Sequence, residues 1–145
     1  MTLRAAGYGE PSRDTIRTEY GAIASRFTAG EALSAGELAA QSTAEGADRT
    51  AVKCAAGADN PLGVVWHDAA QGADVWIVPP GFLAKVRFET DLAPERGFHV
   101  YSSASEAGRA GGQAVINTAR HWGEIGHCLE TVAANTLALC FLHTN

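Results

Sequence analysis

The chain reads as an all-β protein, a small barrel or sandwich of short strands. Three observations carry that reading. Glycines punctuate the chain from Gly30 onward, runs rich in Val, Ile, Trp, Phe and Tyr lie between them, and helical periodicity is confined to one short stretch. The glycines fall at Gly30, Gly36, Gly46, Gly57, Gly63, Gly72, Gly81 and Gly97, joined by turn clusters at Asp59-Asn60-Pro61 and Pro79-Pro80-Gly81. Strands are expected at Gly63-Val64-Val65-Trp66, Asp74-Val75-Trp76-Ile77-Val78, Ala84 to Glu89 and Phe98-His99-Val100-Tyr101. From Lys85 to Glu89 charged and apolar residues alternate, the mark of a half-buried strand. Thr136 to Leu142 is apolar on both faces, which fits a central or interface strand.

The N-terminal segment differs. Residues 1–20 carry Gly7, Gly9 and Pro11 among small and polar residues and cannot bury enough surface to order themselves, so they are expected to form a flexible arm ahead of a body at 21–145. Between Asp14 and Phe27, Ile16, Tyr20, Ile23 and Phe27 are spaced for a short amphipathic helix, while Thr15, Ile16, Thr18 and Tyr20 suit a strand equally well.

An internal echo organises the body. Leu62-Gly63 followed by a strand, an Ala-rich turn, Gly72 and the run to Val78 parallels Ile125-Gly126 followed by a strand, an Ala-rich turn, Asn135 and the run to Phe141. Gly72 and Asn135 occupy equivalent places, and Gly and Asn are the residues that best tolerate positive φ. Gly36-Glu37-Leu38-Ala39 and Gly97-Phe98-His99-Val100 echo more weakly. The simplest account is two similar β-units packed into one body, with short helical turns between strands.

Composition bounds function. At 145 residues, 46% hydrophobic and 19% charged, the chain is a globular domain with enough core to fold without disulfides. A net charge of −5 and scattered Lys and Arg exclude a phosphate-tracking nucleic-acid binder. No apolar run approaches a membrane span and the N-terminus lacks a signal-peptide core, so no membrane partner and assembly in a cytosol are expected. Cys54, Cys128 and Cys140 form an odd set without a CxxC pair, which reads as reduced thiols.

Several segments resemble the capsid decoration, or cement, proteins of tailed viruses. Gly30-Glu31-Ala32-Leu33-Ser34-Ala35-Gly36-Glu37-Leu38 is similar to that family's G-x-x-I-x-A-G-D-L opening. Asp59 to Val64 with Ala69 to Val75 is similar to its G-V-A-x-x-x-A-A-A-G-E-x-V segment, and Ile125 to Glu130 with Leu137-Ala138-Leu139 to its I-G-x-A-L-E and V-x-V close. The resemblance runs from about residue 28 to residue 143. It implies a small β-barrel or β-tulip body, trimeric on the outer capsid surface, with an N-terminal arm on the major capsid protein and no catalytic residues or cofactor. Trp66, Trp76 and Trp122 and the insert-like Asn117 to Trp122 depart from the family pattern.

The histidines and cysteines are the candidates for metal binding or catalysis. His127, Cys128, Cys140 and His143 lie in the last two strands, but neighbours on a strand point to opposite faces, so a tetrahedral zinc site would need a distorted hairpin. The plainer expectation is a buried thiol on one face and a solvated imidazole on the other, with no metal. Cys54 paired with His67 or His99 would make a nucleophile, yet nothing but Lys53 flanks it to activate a thiolate. Gly108-Arg109-Ala110-Gly111-Gly112 lacks the lysine and helix of a phosphate loop and reads as a flexible turn. Asp68, Asp74, Glu89 and Asp91 fall near turns and read as solvated charge.

The aromatic residues are the better functional candidates. Trp66, Trp76 and Trp122 suit either the core or a subunit interface, with Trp122 favoured for an interface, and Leu3, Tyr8, Ile16 and Tyr20 are the anchors of a capsid-binding arm. The expected function is capsid stabilisation in the virion by bridging capsid subunits. The alternatives are a virion-surface carbohydrate-binding module using a tryptophan as a stacking platform and, last, a Cys/His hydrolase.

Overall fold

The structure is a computed structural model and describes residues 14–58, 61–115 and 123–143. Eleven strands account for every regular element among those residues. They are β1 (Thr15–Arg17), β2 (Ile23–Ala29), β3 (Leu38–Gln41), β4 (Thr50–Lys53), β5 (Gly63–Val65), β6 (Asp74–Val78), β7 (Leu83–Val86), β8 (His99–Ser102), β9 (Ala110–Gln113), β10 (Glu124–Cys128) and β11 (Ala138–Leu142). The first sheet runs β1-β2-β4-β3-β5-β6, and β6 returns to pair with β2, so its last five strands close a barrel. The second runs β7-β11-β10-β8-β9. A parallel bridge between Phe88, just beyond β7, and Ala110 of β9 brings it to the same closure. The all-β expectation holds, and helical geometry among the described residues is confined to a 3₁₀ position at Gly123, just before β10.

The two sheets are one topology used twice. In the first, β2 runs parallel to β4 and every other barrel contact is antiparallel; in the second, the same holds for β7 against β9 and the rest. Registers agree residue by residue. Gly63 faces Ala39 as Gly126 faces Val100, and Val65 faces Ile77 as Cys128 faces Cys140. Loop hydrogen bonds repeat as well: Gly36 N–H donates to Val65 O (2.7 Å) and Gly97 N–H to Cys128 O (2.8 Å), while Trp66 N–H to Trp76 O matches Leu129 N–H to Leu139 O. The echo seen in the sequence is therefore a true structural repeat, the weak Gly36/Gly97 part included. Gly72 and Asn135 both have positive φ (85° and 64°), as their shared turn demands.

Close backbone approach explains the paired glycines. A Cβ on Gly63 would collide with the Val78 carbonyl, and one on Gly126 with the Phe141 carbonyl. Gly36 serves the junction between units. Its φ is +85°, and a Cβ there would sit 2.7 Å from the Leu137 side chain and 2.9 Å from the Arg87 nitrogen. Arg87 N–H donates to the Gly36 carbonyl (2.8 Å), and the buried Glu37 carboxylate closes the preceding turn by accepting from Ser34 N–H (2.6 Å). The Ala-Gly-Glu-Leu motif thus builds the joint at which one unit docks on the other.

Two apolar clusters hold the body. Ala29, Leu33, Ala39, Ala51, Val65, Val75 and Ile77 fill the first barrel. Their counterparts Phe88, Val100, Ala110, Cys128, Ala138 and Cys140 lie in the second, larger cluster, which also takes in Leu38, Val64 and Val78 from the outer face of the first unit. Cys128 and Cys140 stand where the first unit has Val65 and Ile77, so both thiols do the packing work of aliphatic side chains.

The stretch from Asp14 to Phe27, which suits a helix and a strand equally in sequence, takes the strand alternative as β1 and β2. Other expectations need correction. The body begins before residue 21, because Ile16 pairs with Ala24 and packs against the core. The glycine-rich Gly108 to Gly112 is a turn only at Gly108; from Ala110 it is strand β9, held by β8 and Phe88. The short strands β3 and β4 were not foreseen as such.

Candidate functional site

Two surface features stand out, an aromatic groove at the junction of the units and a polar face on the second unit. The groove lies beside Tyr20, in the turn between β1 and β2, and Trp66, just after β5. It is lined as well by Val64, Val65 and Val78 of the first unit and by Leu83, Lys85 and Leu137 of the second. The two rings are 36% and 37% exposed, so each leaves about a third of its surface in water beside an apolar cleft. Lys85 pairs with Glu130, which also accepts from Leu139 N–H (2.8 Å). The lysine's hydrogen bond holds the Glu130 carboxyl below its usual range, and the same contact raises Lys85. Strand β1 lies alongside as an edge, paired among the described strands with β2 alone.

The polar face is made by β8, β10 and the end of β11. His99 and His127 are direct cross-strand partners. A register shift between Glu124 and Gly126 places a bulge at Ile125, which sends Ile125 into the core and leaves Glu124 on the face of the histidines. One oxygen, Glu124 Oε1, meets His99 Nδ1 at 2.6 Å and His127 Nε2 at 3.2 Å. The His143 ring lies 5.5 Å from that of His127, and His143 N–H donates to the Ile125 carbonyl (3.0 Å) at the bulge.

The candidate residues from the sequence fall in different places. Tyr20 and Trp66, assigned to separate roles, are brought together at the groove. Ile16 is a half-buried strand residue, and Trp76 is half-buried against the core opposite Arg26 of β2. Leu3, Tyr8 and Trp122 lie outside the described residues. The four zinc candidates are split as alternation demands: Cys128 and Cys140 face the interior and His127 and His143 the outer face. The set that does converge, His99 with Glu124 and His127, was not anticipated.

Neither cysteine–histidine pairing forms. Cys54 is fully buried beside Ser102, and burial pushes its thiol up, whereas His99 bonds Glu124 and His67 bonds the Asp68 carbonyl. Contact with Cys140 holds Cys128 down to about 7 and raises Cys140, yet the two are 1% and 0% exposed, out of reach of any substrate.

Fold and surface together define a small, internally duplicated double-barrel β-protein whose surface offers a groove and a polar cluster. No protein-family model and no curated protein sequence matches the chain. Among solved structures it is similar to the head fiber gp8.5 N base of bacteriophage phi29, with a TM-score of 0.59 and 18% identity, covering 82% of this chain and 92% of that one. The likeness is one of fold.

Proposed function

We propose that this chain is a non-enzymatic structural protein of a tailed-virus head, which binds the outer capsid surface as a decoration protein and stabilises it by bridging capsid subunits. The observation that carries the reading is the fold, shared over most of both chains with the base of a phage head fiber. The decoration-family motifs support it independently, since they fall on the turns that build this fold, Gly36-Glu37-Leu38 at the unit junction and Gly63 and Gly126 at the paired hairpins. In this reading the partner is the major capsid protein and the protein acts as a homotrimer, so that several weak attachments add up. Contact is made by residues 1–13, by β1, which pairs among the described strands with β2 alone, and by the Tyr20–Trp66 groove. An edge strand offers main-chain hydrogen bonds, and half-exposed aromatic rings beside a cleft offer apolar anchors.

The test adds purified protein to heads that lack it and follows co-sedimentation and resistance to heat. Binding with a raised disruption temperature is expected. Removing residues 1–13, which leaves β1 in place, is expected to weaken binding while the body stays folded, and Tyr20→Ala with Trp66→Ala to weaken it further. Failure of the intact protein to co-sediment at micromolar concentration would refute the function.

A further inference from the structure

We propose that His99, Glu124 and His127 form a binding site for a divalent transition-metal ion of the zinc class, with His143 as the adjacent fourth donor. The three donor atoms, His99 Nδ1, Glu124 Oε1 and His127 Nε2, lie within 4.8 Å of one another on the face of one sheet. Ligands held about 2.0–2.2 Å from a tetrahedral ion stand roughly 3.3 Å apart. That spacing falls between the shortest separation here, 2.6 Å, and the 4.8 Å bound, so one ion can replace the bridging protons with small side-chain rotations. Two imidazoles and a carboxylate select zinc, cobalt, nickel or copper over calcium or magnesium, which call for all-oxygen shells.

Two further observations separate this set from an ordinary polar surface. The first is the bulge. Without the extra residue at Ile125, strict alternation would direct Glu124 away from His127, and the bulge instead aims its carboxylate between the two rings. The carboxylate is largely withdrawn from water (side-chain exposure 12%), and its ion-pair partners among the described residues are the two histidines.

The second is the internal repeat. The positions equivalent to His99 and His127 in the first unit are Leu38 and Val64. The fold therefore requires no polar group at either position, and two imidazoles stand beside the Glu124 carboxylate where the sister unit has aliphatic side chains. Solvation alone would be served by any lysine or glutamate. Convergence of nitrogen and oxygen donors on one point is what a metal requires. A bound ion would tie β8 to β10 and, through His143, to the end of β11, stiffening the outer face of the second barrel.

The test uses the full chain, stripped of metal by dialysis against a chelator. Titration with Co²⁺ is expected to give a saturable visible d–d spectrum at one ion per chain. Zn²⁺ should displace it stoichiometrically and raise the unfolding temperature, since a ligand bound only by the native state stabilises it. Glu124→Gln keeps the shape and a carbonyl acceptor for an imidazole, so it tests ligation without emptying the site. It and His127→Ala are each expected to weaken binding by more than about a hundredfold, beyond the effect of an outer-shell change. His67→Ala, which lies outside the cluster, should bind as the parent does. Absence of a saturable Co²⁺ spectrum would overturn the proposal, and so would binding that survives unchanged in both cluster variants. Neither result bears on capsid attachment, which is read by sedimentation with heads.

Discussion

The paired glycines at the hairpins make the sharpest test of the fold. In Gly126→Ala the new methyl would meet the Phe141 carbonyl oxygen inside van der Waals contact, the Leu142 Cδ2 at 2.9 Å and the Leu142 Cα at 3.0 Å. Ordinary contact begins near about 3.5 Å, so β10 and β11 must part by roughly half an ångström or more. Overpacking of this kind costs about 1–3 kcal/mol, and weakening a flanking ladder hydrogen bond adds up to about 1 kcal/mol. The expected loss is therefore about 2–3 kcal/mol, a large share of a typical domain's stability. Gly63→Ala should lose a similar amount, because its Cβ meets the Val78 carbonyl in the same way. Gly111→Ala is the control: its nearest neighbour is the movable Glu89 carboxylate at 3.2 Å, so it should stay within about 0.5 kcal/mol of the parent. Equilibrium urea unfolding followed by tryptophan fluorescence reads all three. With a slope of about 1–3 kcal/mol per molar, the hairpin variants should move the midpoint down by about 1 M or more. If Gly63→Ala and Gly126→Ala unfold with the parent and Gly111→Ala, the strands do not approach as described and the duplicated-hairpin argument fails.

Two further outcomes follow from buried thiols and from one ion pair. Cys54, Cys128 and Cys140 are all buried, so a maleimide probe at neutral pH should label none of them in the native protein and all of them in urea; fast native labelling of Cys54 would revive the hydrolase alternative. Glu130 is held below its usual 4.5 by the hydrogen bond from Lys85, so its share of stability is full above that value and is lost as pH falls through the lower folded value. Both side chains are 34% exposed, which keeps that share below about 1 kcal/mol. Glu130→Gln should remove this part of the acid dependence, as read by thermal melts between neutral and acid pH, and an unchanged acid profile would refute it.

What could be read from the sequence depended on side-chain type. The strand Asp74–Val78 was found with its observed bounds, and β5, β8 and β11 to within a residue or two, because β-branched and aromatic residues mark them. By contrast β3 (LAAQ) and β9 (AGGQ) are written largely in Ala and Gly, which carry little strand preference, and they form because neighbouring ladders claim them, while β4 (TAVK) has only two β-branched residues to mark it. β1 is three residues long, too short for a period, and its place is set by pairing with β2. The histidine cluster was hidden by the bulge at Ile125: alternation counted from Cys128 puts Glu124 on the wrong face. The signal was present in the repeat. Aligning Gly63 with Gly126 sets His127 over Val64, and aligning Gly36 with Gly97 sets His99 over Leu38. The sequence alone therefore carries two polar replacements of apolar residues at equivalent positions of the repeat.

That replacement also gives the two units different outer faces. Leu38, Val64 and Val78 on the outer face of the first unit are 0–1% exposed, buried in one cluster with Ala84, Val86 and Leu142 of the second. If the second unit carried the same apolar face, a further copy could stack on it, and head-to-tail contacts of that kind do not close. Instead the equivalent positions are His99, His127 and Phe141, with the imidazoles tied to Glu124 and the phenylalanine 40% exposed. Polar outer faces end repeat stacks in this way. Restoring the first unit's residues with His99→Leu and His127→Val should therefore drive concentration-dependent association beyond the parent's own state in sedimentation velocity, while urea stability falls because the Glu124 carboxylate loses both partners. A double variant that sediments as the parent does at every concentration would show that this face does not limit stacking.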